Sequence, residues 1–487
     1  MPEFVLAIDA GTTSVRALIF DSQWNISGRG QQSLSLTSPQ PGLVEQSPVE
    51  LWEHTLSVIH RSLDQAQLVA GDIAATGITS QRSCTVVWEK STGVPLTPII
   101  SWQDLRGVQR AQELTELGFP QFPASSACKL EAAVDSIPDG RSRMRQGELC
   151  WGNVDTYLAF KLSGGTLYAT DLSQACATGY LDFETEQWNK VLIETQGLDL
   201  SFFPILVDTA AVLGDTDPSI LGASIPINAI VGDQQSAAIA QDCQKPGDLK
   251  ITFGTSGTCN VHTGTNVVTI PGTYPLVLQR RGGRTDYCVE AMIITAGAAL
   301  DWLGTTLGIQ EISVDLDSFL TDTTGSESVL LLPALQGLGS PYFQPEVIAQ
   351  IAGLTLSTTR KQIVYSALEG IAFRAREIIE HIEKSNDVPH LRTINIDGGL
   401  TRSETFTRIL ANAIHKPVSV CRHPEAAALG AARLARQADG TTSLEPLRQH
   451  SLVVKPETEM KPYYDQLYNR WKTQFQLQDL VTHRETV

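Results

Sequence analysis

Asp9 closes an apolar run, Phe4-Val5-Leu6-Ala7-Ile8, and is followed by the turn Gly11-Thr12-Thr13-Ser14 and a second apolar run, Ala17-Leu18-Ile19-Phe20. Glycine lets a backbone come close to a ligand, exposed N–H groups with Thr and Ser hydroxyls donate to phosphate oxygens, and a carboxylate holds hydrated Mg²⁺. The stretch IDAGTTSVRALIFD therefore reads as a phosphate and metal turn at the tip of a hairpin, the plain alternative being a polar turn and nothing more.

Two further glycine turns follow strand-like runs. GTSGT, 254 to 258, contains Gly254 and Thr255; in IDGGLTRSETF, 396 to 406, Asp397 is followed by Gly398 and Gly399, and Ser403 is placed to cap a helix carrying Phe406, Ile409 and Leu410. Helix N-termini after such turns suit anions and nucleotides. In AIVGDQQSAAIA, 229 to 240, Asp233 and Gln234 stand between an apolar strand and a run of small residues. A carboxylate there is placed to take a proton from a hydroxyl that attacks phosphorus, and equally to cap a helix. The chain has no G-x-x-x-x-G-K-[ST], and no G-x-G-x-x-G follows a strand, so a nucleotide site must be of another design.

The elements that must position these residues alternate. Apolar runs mark strands at 4 to 8, 15 to 20, 85 to 88, 227 to 231, 249 to 253, 329 to 333 and 392 to 396. Ser47-Pro48-Val49-Glu50 has a capping serine, a first-turn proline and a glutamate three residues after the cap, and predicts a helix continued by Leu51, Leu56, Ile59 and Leu63. A second helix is predicted from about 360 to 384. The class is α/β. DAGTTSVRALIF and KITFGTSGTCNVH echo each other, which suggests two related halves, 1–245 and 246–487, divided near QDCQKPGDLK, with a small-molecule site in the cleft.

Lys and Arg number 36 against 53 Asp and Glu, a net charge of −17 over 487 residues, which disfavours nucleic acid and favours small-molecule work. The eight cysteines show no C-x-x-C spacing and read as thiols of a reducing compartment. MPEFVLAIDAG runs straight into a strand without the features of a secretory leader, and no membrane-length apolar stretch occurs, so a cytoplasmic protein with no membrane partner is expected. His54, His60, His381 and His415 share no metal spacing; Trp52, Trp151 and Trp188 read as packing residues; Glu148 and Asp155 read as partners of nearby arginines on a solvated face.

Together these stretches, with PGLVEQSPVELW (41 to 52), GITSQRSCTVVWEKSTGVPL (77 to 96), IISWQDLRG (99 to 107), GNVDTYLAFKLSGG (152 to 165), TAGAALDWL (295 to 303), LPALQGLGSPYFQP (332 to 345) and AGLTLSTTRKQIVYSALEGIAFR (352 to 374), resemble the FGGY carbohydrate kinases, and within them the glycerol kinases. The resemblance implies a two-domain actin/hexokinase/Hsp70-like (ribonuclease H-like) fold, ATP in an interdomain cleft and a polyol or sugar beside it. It implies that Asp9 positions Mg²⁺ together with Asp233, which is also the base. Gly11, Thr12, Thr13 and Arg16 then lie near the transferred phosphate, and Gly254 and Thr255 near the ATP phosphates. Gly297, Asp301, Gly399 and Ser403 lie along the nucleotide, and Gln81, Arg82, Trp102 and Gln234 around the acceptor.

Departures from the glycerol kinase pattern bear on the acceptor. Ser83 stands where a glutamate is expected, and Ala124 where an aromatic is expected ahead of Lys129; an expected tryptophan after Lys129 is missing, and Asp301 and Ser403 replace amides at the nucleotide. A wider pocket with a weaker preference for glycerol is expected, with erythritol, D-ribulose or D-xylulose as alternatives. A homo-oligomer, dimer or tetramer, is also expected. A nucleotide-binding sensor of the same fold that transfers nothing is the reading from another class; the pairing of Asp9 with Asp233 speaks against it, because a binder needs no base.

Overall fold

The apolar runs flanking the first glycine turn pair as an antiparallel hairpin, β1 (Phe4–Ala10) and β2 (Ser14–Phe20), whose register sets Asp9 opposite Arg16. Nearly every side chain of the hairpin is buried, because helices cover both faces of the sheet it starts. In the computed structural model, which describes residues 3–309, 312, 315–421, 423, 425–438, 447 and 451–480, that sheet has six strands. With β3 (Ile26–Ser33), β4 (Ile73–Ser80), β5 (Ala210–Asp215) and β6 (Pro226–Gly232), the order is β5-β6-β4-β1-β2-β3. β1, β4 and β6 run parallel, so Asp9, Gln81 and Asp233 emerge together at their carboxyl ends, the edge where open α/β sheets bind ligands.

A second sheet repeats the plan. β7 (Asp248–Phe253) and β8 (Gly257–Gly264) form a hairpin around the second glycine turn, β9 (Tyr274–Arg281) and β10 (Arg284–Ile293) extend it on one side, and β11 (Thr393–Asp397), β12 (Val418–Cys421) and β13 (Ser451–Val454) on the other. The order is β9-β10-β8-β7-β11-β12-β13, with β7, β11 and β12 parallel. The echo between the two glycine hairpins thus has a structural counterpart: each supplies the first two strands of its sheet.

The predicted helices form as their signals dictate. α1 (Pro48–Ala66) starts at Ser47, whose side chain accepts the Glu50 N–H at 3.2 Å. Glu50 does not reach back to close a capping box; its carboxylate takes the Ser35 N–H and hydroxyl instead. α2 (Asp233–Ala240) follows β6 directly, α3 (Gly297–Thr306) follows β10, α4 (Arg360–Glu383) is capped by Thr359, and α5 (Glu404–Ile414) is capped by Ser403, as its sequence predicts.

One helix departs from the division of the chain at residue 246. α6 (Ala426–Arg436), from the second half, packs on the first sheet, joining Ala428, Leu429 and Ala432 to a core of Val5, Ala7, Leu18, Phe20 and Val231. Its small residues permit that approach: a Cβ on Gly430 would lie 1.9 Å from the Ser236 carbonyl oxygen. Asp155 is a correction to the sequence reading. Glu148 does pair with Arg143 at 3.0 Å, but Asp155 is fully buried and accepts from the Thr170 hydroxyl at 2.7 Å, since α/β packing turns its helix wholly inward.

Candidate functional site

Two cavities on either side of the β7–β8 turn are lined by most of the predicted residues, while Asp9, Gly11, Thr13 and Arg16 line neither. The larger, about 580 Å³, is lined by Thr12, Gln81, Arg82, Trp102, Asp233 and Gln234, and by Ser256 and Thr258 at that turn. The smaller, about 360 Å³, is lined by Gly254, Thr255, Gly297, Asp301, Gly399 and Ser403. Of the first turn, Thr12 opens on the larger cavity, while the Gly11 N–H closes the turn on the Ser14 carbonyl at 3.0 Å and Thr13 ties it to Leu34.

Asp233 is the first residue of α2, and its Oδ1 accepts the Gln234 N–H at 2.7 Å. Arg82 Nε lies 3.7 Å from the same oxygen. Burial raises the Asp233 carboxyl above its ordinary range, with Arg82 and the Gln234 N–H pulling it back. Asp9, one strand away across β4, is raised to about 7, first by burial and then by Asp233 and Glu425, against the opposing charge of Arg16 at 3.7 Å. Asp233 lines the larger cavity, while Asp9, whose carboxyl feels its charge, is buried outside that lining; such a pair of carboxylates can hold a cation, take a proton, or both.

Around this pair the polar groups are held in place. The Thr12 hydroxyl donates to Gln81 Oε1 at 3.0 Å and accepts from Trp102 Nε1 at 3.1 Å; Gln81 donates on to Gln46, and Gln46 to the Thr12 carbonyl, both at 2.6 Å. Gln81 thus fixes the Gly11–Ser14 turn, and Gln46 enters as a residue no sequence signal marked. Arg82 donates to Glu290 on β10 at 2.9 and 3.1 Å, and Lys250 on β7 donates to Gln234 Oε1 at 2.6 Å, so both residues are anchored by the second sheet.

Glu290 and Lys250 were legible in principle, since a lone charge inside an apolar strand such as YCVEAMI must find a partner. Glu425, at the head of α6, takes Arg16 at 2.9 Å and also Arg29, steadying the first hairpin from the far end of the chain; no sequence signal marks it. Lys129 is fully buried, its amine pulled down to about 8 by burial, and holds the Ser83 and Ser101 carbonyls at 2.8 and 2.9 Å.

The second cavity is built by backbone proximity. The Gly297 N–H donates to the Gly254 carbonyl at 2.9 Å, and a Cβ on Gly297 would stand 2.7 Å from that oxygen. Gly398 (φ +99) turns the chain out of β11 where any side chain would strike Phe253. Asp317 accepts the Ser403 hydroxyl at 2.6 Å and the Glu404 and Thr405 N–H groups, so Ser403 both caps α5 and carries a carboxylate at the cavity wall. The histidines keep ordinary partners: His54 at the Ser33 carbonyl, His381 at Pro271, His415 at Asp465. Among the described residues no cluster of three or more His, Cys, Asp or Glu could hold a metal by itself.

The N- and C-terminal domain profiles of the FGGY family of carbohydrate kinases match residues 4–240 and 249–438. The chain is 36% identical over 445 residues to a glycerol kinase of Nitrosomonas eutropha, covering 88% of either chain. It is 34% identical over 488 residues to one of Coxiella burnetii, covering 97% of each. The crystal structure of Plasmodium falciparum glycerol kinase with ADP superposes with a TM-score of 0.89 at 25% identity, over 97% of this chain and 98% of that one. A xylulose kinase from Rhodospirillum rubrum, at 22% identity and a TM-score of 0.84 over 97% and 98%, shares the fold. The two-domain α/β architecture is the actin/hexokinase-like ATPase fold. The chain belongs to the FGGY family of carbohydrate kinases and is an ATP-dependent phosphotransferase acting on an alcohol group.

Proposed function

We propose that the protein transfers the γ-phosphate of ATP to a primary hydroxyl of glycerol, forming glycerol 3-phosphate. The observation that carries this reading is Asp233, at the head of α2, meeting Arg82 and Gln234 in one cavity with the Thr12 turn, one glycine turn away from a second cavity of nucleotide size. Curated relatives at 33 to 36% identity are glycerol kinases, which favours glycerol over the ketopentoses.

In the larger cavity Arg82 and Gln234, each braced from the second sheet, orient the acceptor's hydroxyls. Asp233 accepts the proton of the attacking hydroxyl as its oxygen bonds to phosphorus and the bond to ADP breaks; its raised basicity suits that role, and Arg82 keeps it ionised. Thr12 and Thr13 offer donors to the transferred phosphate on a turn that Gly11 closes, with Arg16 beside them, while Gly254, Thr255, Gly297, Asp301, Gly399 and Ser403 hold the nucleotide.

Mg²⁺ takes one or two carboxylates and completes its shell with phosphate oxygens and water. The donor set fits: the Asp9 carboxyl is raised by burial and by the charge of Asp233, a strain that a cation relieves. Asp9 and Asp233 would hold the ion, which neutralises phosphate charge. We infer also that residues 1–245 carry the acceptor side and 246–487 the nucleotide side, and that the protein works in the cytoplasm as a homo-oligomer. Its eight unpaired thiols suit a reducing compartment, and light scattering that gives a monomer mass refutes the assembly.

Asp233→Asn keeps the volume and removes the base. Turnover is expected to fall by roughly 10²–10⁴-fold, with ATP affinity by calorimetry near that of the parent; full steady-state activity in this variant rules Asp233 out as the base.

A further inference from the structure

The cavity that contains Asp233 has an apolar end. Its volume, about 580 Å³, falls in the range that encloses drug-sized ligands, whereas glycerol is a three-carbon triol with no apolar part.

Strand register places that apolar end beside the reacting groups. Arg82 Nε is 3.7 Å from Asp233, and Arg82 Nη2 is 2.9 Å from Glu290. Glu290 on β10 is the cross-strand partner of Tyr274 on β9. The Tyr274 ring meets Phe122 with centroids 4.9 Å apart. Side chains two residues apart share a face of a strand, so Leu276 stands beside Tyr274 and Met292 beside Glu290, and all four line the cavity. Phe122, from the first half of the chain, faces this wall with 40% of its surface exposed. Ser83 and Ala124, also lining the cavity, are too small to fill the space.

We infer that the site takes, besides glycerol, 3-substituted propane-1,2-diols that carry an apolar alkyl or aryl group on the carbon far from the reacting hydroxyl, and seats the substituent against Phe122 and Tyr274. This deepens the glycerol reading and rests on it. The chemistry is unchanged: the primary hydroxyl gives its proton to Asp233, its oxygen bonds to the γ-phosphorus, and ADP leaves. Burying apolar surface raises affinity about fourfold per methylene, and an aryl ring gains further from edge-to-face contact with Phe122 and Tyr274.

The test is acceptor-dependent ADP release by the full chain with glycerol and with 3-methoxy-, 3-butoxy- and 3-phenoxypropane-1,2-diol. The butoxy and phenoxy diols are expected to exceed glycerol in kcat/KM by roughly tenfold or more. Phe122→Ala is expected to shrink that ratio, Phe122→Tyr to retain it, and Ala124→Trp, which fills the space, to abolish it should Phe122→Ala fail to fold. Glycerol phosphorylated with the ethers no better overturns the inference and leaves the glycerol reading standing. No acceptor phosphorylated overturns both. An ether preference indifferent to Phe122→Ala and to Ala124→Trp overturns the placement and with it the inference.

Discussion

Among single residues, the larger cavity divides between groups that line it and groups that hold those in place from the second sheet. Arg82 is charged, its side chain only 13% exposed, and would swing without its second-sheet partner; Glu290 fixes it, and Asn260 fixes Glu290 at 2.9 Å. Glu290→Ala is therefore expected to lower kcat/KM for the acceptor by roughly 10–100-fold, the cost of breaking a charge-assisted pair, with the KM for ATP little moved. If the two KM values rise together, Glu290 serves the fold and does not position Arg82. Asp9, Thr12, Asp233 and Gln234 by type alone suit phosphoryl transfer and equally suit a polar turn and a helix cap; the ordered resemblance of the surrounding segments to the FGGY kinases is what favoured the former. Glu290 and Lys250 announce in the sequence only that some partner is needed, and Glu425 not even that; which residue answers is set by side-chain distance across two sheets and leaves no local pattern.

At the level of elements, sequence signals and structure agree where the signal is local. Ser47 and Ser403 cap the helices they precede, and the glycine turns end strands as their backbone freedom requires. Asp155 shows where local reading stops. It lies on the helix Val154–Leu162, which is apolar on nearly every side, and packing takes it inward without an arginine; its Oδ1 has no hydrogen-bond partner among the described residues. Burial, with Asp171 adding to it, raises its carboxyl to about 7 against the pull of Thr170. A carboxyl that keeps its proton longer in the folded chain than in the unfolded one contributes stability that is full below the ordinary 3.8 and lost as pH climbs through about 7. Asp155→Asn removes that dependence, so the variant is expected to gain on the parent by up to about 1.4 kcal/mol per pH unit across this window. Urea unfolding at acid and mildly alkaline pH measures it, and equal gaps at both would place the carboxyl's ionisation elsewhere.

At the scale of the molecule, the two sheets meet through Arg82–Glu290 and Gln234–Lys250, ties that lie at the acceptor cavity, while α6 returns from the second half to the first sheet and brings Glu425 to Arg16. Acceptor and nucleotide together bridge both sides of the β7–β8 turn, so their joint binding is expected to reduce the radius of gyration in small-angle scattering by more than either alone; an unchanged radius would mean a cleft that does not close. The α/β class, the two glycine hairpins and the capped helices were legible along the chain, because periodicity, caps and turns are properties of neighbours in sequence. That the β7–β8 turn separates two cavities, that α6 crosses to the opposite sheet and that an aromatic wall stands in the cavity of Asp233 was legible only in three dimensions, because these depend on strand register and on close approach between segments hundreds of residues apart.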